Sequence, residues 1–228
     1  ELGNVYLADA GAMRIRMIVS ERGAGQNGFG YRQPLDDDGD GAPDRFGEPV
    51  ALQAGCIYTI VGNPAWDPTV DPATPNEAWV AGYAGDGGPA QAAQIEQVTA
   101  MTWSAGALYF ADGLNQVVRR VDRATGTITT FATGLNRPTA LTVDARGRVI
   151  VAEKGGVFKL LGADGTGVAI AGRSAGAGGR TQALVGDGDA RHGADLGFAW
   201  TIRADADGNL LVSDQVGLRL RKIWRPWD

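Results

Sequence analysis

Three observations predict an all-β fold of repeated four-stranded antiparallel units for this chain of 228 residues. Glycine occurs 35 times, about twice its usual share, which favours frequent turns over long helices. A seven-residue phrase recurs four times: GNVYLAD from Gly3, GALYFAD from Gly106, GRVIVAE from Gly147 and GNLLVSD from Gly208. Apolar and polar residues alternate within and after each phrase, as they do in half-buried strands.

Each phrase is predicted to be the second of four strands. First strands precede three phrases: TAMTWS from Thr99, TALTVDARG from Thr139 and WTIRADADG from Trp200. Third strands MRIRMI, VVRRVD, VFKLLG and LRLRKI follow the phrases, and fourth strands CIYTIVG, GTITTFATG and GVAIAG follow three of them. The four units therefore have 3, 4, 4 and 3 strands. Four-stranded units that recur roughly every 40 residues predict the blades of a β-propeller.

The phrases resemble NHL repeats, whose pattern GNLYIADTGNNRIRKVD is followed by GTITTVAG. GYAGDGGPAQAAQI, residues 82–95, resembles the GDGGPA segment between blades of bacterial NHL proteins, and VGDGDARHGADL, residues 185–196, is a weaker copy. NHL propellers commonly have six blades. The resemblance therefore implies a segment of a six-bladed propeller with incomplete first and last blades, and closure into a small ring by pairing of the chain ends is the alternative.

We expect one propeller domain or segment over residues 1–228, with an inserted loop at 20–50 and an inter-blade insertion at 63–98. The GDGG sequence lacks the lysine and the strand-to-helix context of a phosphate loop. It is interpreted as an inter-blade loop, with a short helical turn within 89–95.

The sharpest local motif is LDDDGDGAPDRFGE, residues 35–48, which resembles the calcium loops of thrombospondin type 3 and dockerin-like modules. Acids at positions one, three, five and nine converge on a hard cation, and glycine at position six permits the sharp bend. The sequence departs from the EF-hand pattern at position twelve, where Gly47 replaces glutamate and Glu48 comes one residue late. A structural Ca²⁺ site is predicted, with a solvated acidic turn as the alternative. The predicted ligands are Asp36, Asp38, Asp40, the backbone of Ala42, and Asp44.

The acid that ends each phrase is followed by a base, seven residues later in three copies and six in the other. One interpretation is a ring of charges that lines a central channel. The other is that each acid accepts a hydrogen bond in a turn while each base faces the surface, which the regular repetition favours. The pairs are Asp9 and Arg16, Asp112 and Arg119, Glu153 and Lys159, and Asp214 and Arg221.

No catalytic set is predicted. His192, in DARHGAD, is the only histidine and is a weak catalytic candidate, and one histidine cannot supply a multi-histidine zinc site. Cys56 is the only cysteine, so an intrachain disulfide is excluded, and it is interpreted as a small buried hydrophobe.

The tryptophans fall into two groups. Trp103 and Trp200 lie in first strands, so core packing is expected. The tryptophans of the proline-rich loop and of the terminus are candidates for binding a protein or glycan partner. Packing against the insertion, or against blades outside this chain, is the alternative for them. They are Trp66, Trp79, Trp224 and Trp227.

The net charge of −5 argues against nucleic-acid binding, and the sequence contains no apolar run long enough to span a membrane. We expect a non-catalytic scaffold for protein or glycan interaction in a secreted or cell-surface bacterial protein, with the periplasm as the alternative location. Two other functions stay open. One is a propeller hydrolase or lyase that acts at the channel mouth, and the other is a structural part of a larger extracellular assembly.

Overall fold

The repeated phrases form antiparallel hairpins in the structure. A computed structural model describes residues 3–25, 29, 31–35, 45–62, 65–66, 79–80, 82–172, 196–215 and 217–226. For residues 33, 34, 45, 46, 65, 66, 79 and 80 it describes the backbone alone.

Four antiparallel sheets contain the repeats. The first sheet has the order β1-β2-β5, with β1 Val5–Asp9, β2 Arg14–Ile18 and β5 Ile57–Val61. The second has β8 Val98–Ser104, β9 Ala107–Asp112, β10 Val117–Asp122 and β11 Ile128–Ala132 in sequence order. The third has β12 Pro138–Val143, β13 Val149–Glu153, β14 Phe158–Leu161 and β15 Gly167–Ala171 in sequence order. The terminal sheet has β16 Ala199–Ala204, β17 Leu210–Asp214 and β18 Arg219–Ile223.

Two short hairpins lie within the predicted insertions. β3 Arg32–Leu35 pairs with β4 Arg45–Pro49, and β6 Ala65–Trp66 pairs with β7 Trp79–Val80. The first hairpin lies between β2 and β5 in the sequence, which are the third and fourth strands of their unit.

The fold class is confirmed as all-β, of the β-propeller type. Every predicted strand of the repeats is present, and the four sheets that contain the repeats have 3, 4, 4 and 3 strands. Successive strands pair antiparallel through short turns, as in a propeller blade. The NHL type and a six-bladed parent remain predictions.

The chain divides into two compact units. One consists of Glu1–Val98 and Arg120–Thr129, and the other of Thr99–Arg119 and Thr130–Asp228. Strands of the second sheet contribute to both units.

In the first unit, backbone hydrogen bonds of the GDGGPA segment connect the ends of neighbouring strands. The Gly62 amide at the end of β5 donates to the Ala90 carbonyl at 3.0 Å, and the Ala90 amide donates to the Gly126 carbonyl at 2.8 Å. Ala90–Ala92 forms a 3-10 turn, which confirms the short helical turn predicted within 89–95. Cys56 is half-buried, so the prediction that it is a buried core residue is wrong.

In the second unit, threonine hydroxyls join the first strands of successive sheets. Thr99 Oγ1 donates to the Pro138 carbonyl at 2.8 Å, and Thr139 Oγ1 donates to the Ala199 carbonyl at 3.0 Å. β8, β12 and β16 are therefore neighbours in series.

The third and terminal sheets bury one continuous apolar cluster, which provides most of the driving force for their packing. It contains Ala140, Ile150, Ala152, Phe158, Ile170, Ala171, Leu196, Ala199, Ile202, Leu210, Val212 and Ile223.

Candidate interaction surface on the terminal sheet

The repeated acids and bases form ion pairs across the hairpins. In the first sheet Asp9 lies directly opposite Arg14, so Arg16 is the next base along on the same side of the strand. The measured pairs are Asp9 Oδ2–Arg16 Nη2 at 3.0 Å, Glu153 Oε1–Lys159 Nζ at 2.7 Å and Asp214 Oδ2–Arg221 Nη1 at 3.6 Å. One such pair occurs in each of these three sheets, although neither interpretation of the repeated spacing predicted ion pairs.

The same acids close the turns that follow them. Asp9 Oδ1 accepts a hydrogen bond from the Ala12 amide at 3.3 Å, and Asp214 Oδ1 accepts one from the Gly217 amide at 2.8 Å. These bonds support the interpretation of the acids as turn residues. The expected surface-facing base is wrong for the second sheet, where Arg119 is 0% exposed. A carboxylate that is ion-paired and bonded to a turn amide is poorly suited to act as a general base.

A cleft of about 460 Å³ lies in the first unit, beside residues 87–90. Its buried amide, Gln91, accepts a hydrogen bond from the Arg32 amide at 2.9 Å and donates one to the Thr59 carbonyl at 3.3 Å. Arg32 Nη1 donates to the Gly47 carbonyl at 3.2 Å. These bonds hold the β3–β4 hairpin against the first sheet. Among the described residues, no histidine, cysteine or acid lines this cleft, so it offers no acid–base pair.

The terminal sheet has one buried and one solvent-facing side. Its register places Leu220 opposite Ser213 and Lys222 opposite Leu211, so these four side chains share a side of the sheet. Val212, between Leu211 and Ser213, is 0% exposed and belongs to the apolar cluster. The four side chains therefore face away from the cluster.

Large apolar side chains are exposed on this solvent-facing side. Trp200 of β16 is 62% exposed, Leu220 of β18 is 73% exposed, and Trp224, directly after β18, is 72% exposed. Trp224 lies beside Lys222, whose Nζ is 4.2 Å from the ring centroid. Exposed apolar side chains grouped in this way are typical of interaction surfaces. We call this group the exposed face and define it as Trp200, Leu211, Ser213, Leu220, Lys222 and Trp224.

The prediction that Trp200 packs in the core is wrong because of a β-bulge. The pairing of β16 with β17 shifts register between Ala199 and Ile202. Ala199 and Ile202 both occupy buried positions, at 0% and 1% exposed, so strict alternation is broken and Trp200 faces solvent. The Thr201 amide donates to Ser213 Oγ at 3.0 Å within this bulge. Sequence alternation alone does not reveal a bulge. Trp103 of β8, for which core packing was also expected, is half-buried.

Lys222 is held on the exposed face by a second charged contact. Its Nζ lies 3.2 Å from Asp205 Oδ2. Hydrogen bonds from the Asn209 side chain and amide, with a smaller contribution from Lys222, lower the pKa of Asp205 from 3.8 to about 2. Asp205 is therefore ionised at neutral pH, and the cation and the turn carboxylate stabilise each other's charge.

Positive charge is concentrated along β18. The chain as a whole has a net charge of −5, yet residues 219–225 contain four cations and no acid. The cations are Arg219, Arg221, Lys222 and Arg225. Of these four, Lys222 is the one that belongs to the exposed face, because Arg219 and Arg221 lie opposite Asp214 and Val212 on the other side of the sheet.

Several predicted site residues fall outside the described residues. These are the calcium-loop residues Asp36, Asp38, Asp40, Ala42 and Asp44, together with His192 and Trp227. Trp66 and Trp79 lie directly opposite each other in the backbone pairing of β6 and β7. Of the four predicted partner-binding tryptophans, Trp224 lies on the exposed face. Trp200, Leu218 and Leu220 were not predicted to be exposed. For the two leucines, the alternation of leucine and arginine in LRLRKI was a usable signal of exposure.

Comparisons with known proteins identify similar structures but no family. No family model and no curated protein matches the chain. Virginiamycin B lyase from Staphylococcus aureus is 12% identical over 97% of this chain and 49% of its own, with a TM-score of 0.49. The nidogen/laminin complex is 11% identical over 96% of this chain and 60% of that chain, with a TM-score of 0.47. A gluconolactonase from Xanthomonas campestris is 21% identical over 51% of this chain and 36% of its own, with a TM-score of 0.36.

The chain therefore spans between about a third and three fifths of the length of these three proteins. Within the described residues, no helix is long and apolar enough to cross a membrane. The same part of the chain contains no group of three or more His, Cys, Asp or Glu side chains placed to hold a metal ion.

Proposed function

We propose that this chain is a non-catalytic propeller scaffold that binds a protein partner through the exposed face of its terminal sheet. The observation that carries the proposal is the exposure of Trp200, Leu220 and Trp224 on one side of a sheet whose other side contributes to the apolar cluster. Tryptophan, with its large and rigid surface, is enriched among the residues that dominate binding energy.

The surroundings of Trp224 favour a protein over a glycan. Lys222 covers one side of the Trp224 ring, so the ring offers a sugar only its other side for stacking. The aliphatic neighbours Leu211 and Leu220 provide apolar surface that complements apolar protein side chains. A rigid sheet that presents these groups together loses little conformational entropy on binding.

The remaining elements of the proposal come from the sequence. Calcium held by the acidic loop of residues 36–44 would order that insertion, and the weak affinity of such loops suits millimolar extracellular calcium. We therefore place the protein outside the cell or on its surface. The hydrolase or lyase alternative depends on a singular polar cluster, for which His192 is the candidate.

Site-specific photo-crosslinking followed by reconstitution tests the proposal. A photoreactive residue at Leu220 should capture a defined partner in the source cells, whereas the same residue at Val168, also exposed in the second unit, should not. The purified partner should then bind the chain, and the Trp200→Ala/Leu220→Ala/Trp224→Ala variant should lose at least tenfold in affinity. Equal capture at both positions, or unchanged affinity of the triple variant, would overturn the proposal.

A further inference from the structure

The cleft in the first unit has the size and the lining of a small-molecule site. Its volume of about 460 Å³ falls within the range of roughly 300–1,000 Å³ that ligand sites occupy. Among the described residues of its lining, Arg32 is the one with a charged side chain, and Thr125 and Thr127 supply hydroxyl groups. Phe29 and Pro89 add apolar surface. This combination favours a ligand that has an anionic group on an apolar body.

The guanidinium group of Arg32 keeps hydrogen-bonding capacity for a ligand. Its Nη1 donates to the Gly47 carbonyl at 3.2 Å, and a guanidinium has five N–H donors in all. Within the described part of the chain, no carboxylate lies at ion-pairing distance from Arg32, whereas Arg16 and Lys159 each contact an acid. Arg32 is half-buried, so its charge is less well solvated than that of an exposed arginine. An incoming carboxylate therefore gains a charge-assisted contact at this position.

Hydrogen bonds hold the walls of the cleft in place before a ligand arrives. The buried Gln91 side chain accepts a hydrogen bond from the Arg32 amide at 2.9 Å and donates one to the Arg32 carbonyl at 3.1 Å. The Gly87 amide donates to the Ile128 carbonyl at 2.8 Å, and the Ile128 amide donates to the Gly88 carbonyl at 3.0 Å. A preformed site of this kind loses little conformational entropy when it binds.

The acid next to the cleft has its own partners. Asp122 Oδ1 accepts hydrogen bonds from the Thr125 amide at 3.1 Å and the Thr125 hydroxyl at 3.2 Å, and its Oδ2 lies 3.1 Å from Arg120 Nη2. These contacts offset its negative charge. Thr127 is half-buried, and its hydroxyl makes no hydrogen bond to any other residue that the structure describes. That hydroxyl can therefore donate to a bound carboxylate.

We propose that this cleft binds a small organic acid, with its carboxylate on Arg32 and the Thr127 hydroxyl and its apolar body against Phe29 and Pro89. Arginine presents paired donors that match the two oxygens of a carboxylate. All the lining residues belong to the first unit, whereas the exposed face belongs to the second. The inference therefore goes beyond the proposed function and does not depend on it.

A charge series on one ligand shape tests the inference. The probes are phenylacetate and two matched analogues, neutral phenylacetamide and cationic phenethylamine, each titrated into the full chain and followed by amide NMR spectra. Phenylacetate should bind at least tenfold more tightly than phenylacetamide, and phenethylamine should show no binding at up to about 10 mM. The amide signals of Gly87, Gly126 and Thr127 should shift with phenylacetate.

Two further probes separate the sources of binding. Acetate has the carboxylate without the apolar body, and inorganic phosphate is an anion of different shape and charge. Both should bind at least severalfold more weakly than phenylacetate, because neither contacts the apolar part of the lining.

Variants of the lining identify the groups that hold the carboxylate. Arg32→Met should weaken phenylacetate binding at least tenfold, whereas Arg32→Lys should keep part of the affinity, because lysine retains the charge but not the paired donors. Thr127→Val should weaken binding severalfold. The matched controls Arg22→Met and Thr129→Val change residues of the first unit outside the lining and should leave binding unchanged. Far-UV circular dichroism checks that each variant keeps its fold.

Each outcome supports or overturns the inference. Equal affinities for phenylacetate and phenylacetamide, or no binding of either, overturn it from the unsubstituted chain alone, even if Arg32→Met does not fold. Signal shifts that spare the cleft, or unchanged binding by folded Arg32→Met, overturn the location. Acetate or phosphate that binds as tightly as phenylacetate overturns the ligand class.

The exposed-face variant keeps this inference separate from the proposed function. Trp200→Ala/Leu220→Ala/Trp224→Ala should bind phenylacetate as the unsubstituted chain does. A loss of phenylacetate binding in this variant, with its fold retained, would overturn the location of the site in the first unit. Failure to capture a protein partner at Leu220 would overturn the proposed function and leave the cleft unaffected.

Discussion

The Nζ atom of Lys222 lies 4.2 Å from the centroid of the Trp224 ring and 3.2 Å from Asp205 Oδ2. A cation over an aromatic ring is attracted by the ring quadrupole, and the nearby carboxylate adds a Coulomb term. The two contacts restrict Lys222 before any partner arrives, so less side-chain entropy remains to be lost on binding. The exposed face is thus partly preorganised.

Truncation of two side chains of β18 that face opposite sides of the sheet should change the free energy of unfolding by different amounts. Leu220→Ala should change the free energy of unfolding by no more than about 0.5 kcal/mol, because the side chain is exposed. Ile223→Ala removes a side chain from the apolar cluster and should cost about 2–3 kcal/mol. Urea denaturation measures both, and a larger loss for Leu220→Ala would contradict the assignment of the two sides.

Equivalent arginines in different sheets should differ in their contribution to stability. Arg119 is 0% exposed, so Arg119→Met removes a fully buried cation and should cost about 3 kcal/mol. Arg16 is 31% exposed in its pair with Asp9, so Arg16→Met should cost less than about 1 kcal/mol. Thermal unfolding of both variants gives the comparison, and equal losses would show that burial does not decide the difference.

The turn between β16 and β17 should weaken in acid. Hydrogen bonds from Asn209 lower the pKa of Asp205 to about 2, below its ordinary value of 3.8. Because the folded pKa is the lower one, the stabilisation is fully present above about pH 4 and is lost as the pH falls towards 2. An NMR titration of the Asp205 carboxyl group should show this value.

Two variants identify the cause of that shift. Asn209→Ala should raise the pKa of Asp205 markedly, because the Asn209 side chain makes the largest contribution. Lys222→Met should raise it less. The reverse order would show that the ion pair, rather than the turn, controls this carboxyl group.

Gly172 should not tolerate a side chain. Its φ is +77°, and a Cβ there would overlap the carbonyl oxygen of Gly156. Gly172→Ala should therefore cost more than about 2 kcal/mol through strain and collision together. Gly134, with a φ of +66° and open space around it, is the matched control, and Gly134→Ala should cost about 1 kcal/mol.

Calcium should stabilise the chain if the acidic loop binds it. With a Kd of about 1 mM, 10 mM calcium would add about 1.4 kcal/mol, or roughly 3–6 °C in Tm. Asp38→Ala/Asp40→Ala should abolish this rise, whereas Asp207→Ala, an exposed acid elsewhere, should not. A rise in Tm that persists in the double variant would rule out this loop as the source.

The strands of the repeats were predictable because their signal is local. The phrase GRVIVAE contains a turn glycine, an alternating apolar run and a terminal acid, and β13 occupies Val149–Glu153. The acids end their strands and bond to the following turns, as with Asp9. Such features depend on residues close in sequence, so one chain suffices to read them.

The burial of individual side chains was harder to predict because it depends on distant contacts. Asp9–Arg16 and Asp112–Arg119 have the same spacing, yet Arg16 is partly exposed and Arg119 is fully buried. Trp200 lies in an apolar strand, but the bulge beside Ala199 turns it to solvent. Apart from Trp224, the exposed face therefore emerged only from the register of the terminal sheet.

The measurement that tests the central claim most directly is the affinity of the partner captured at position 220 for two variants of the chain. The account predicts that Trp200→Ala/Leu220→Ala/Trp224→Ala weakens binding at least tenfold while Val168→Ala leaves it unchanged, with both variants folded. Equal affinities for the two variants would contradict the assignment of the exposed face as the interaction surface.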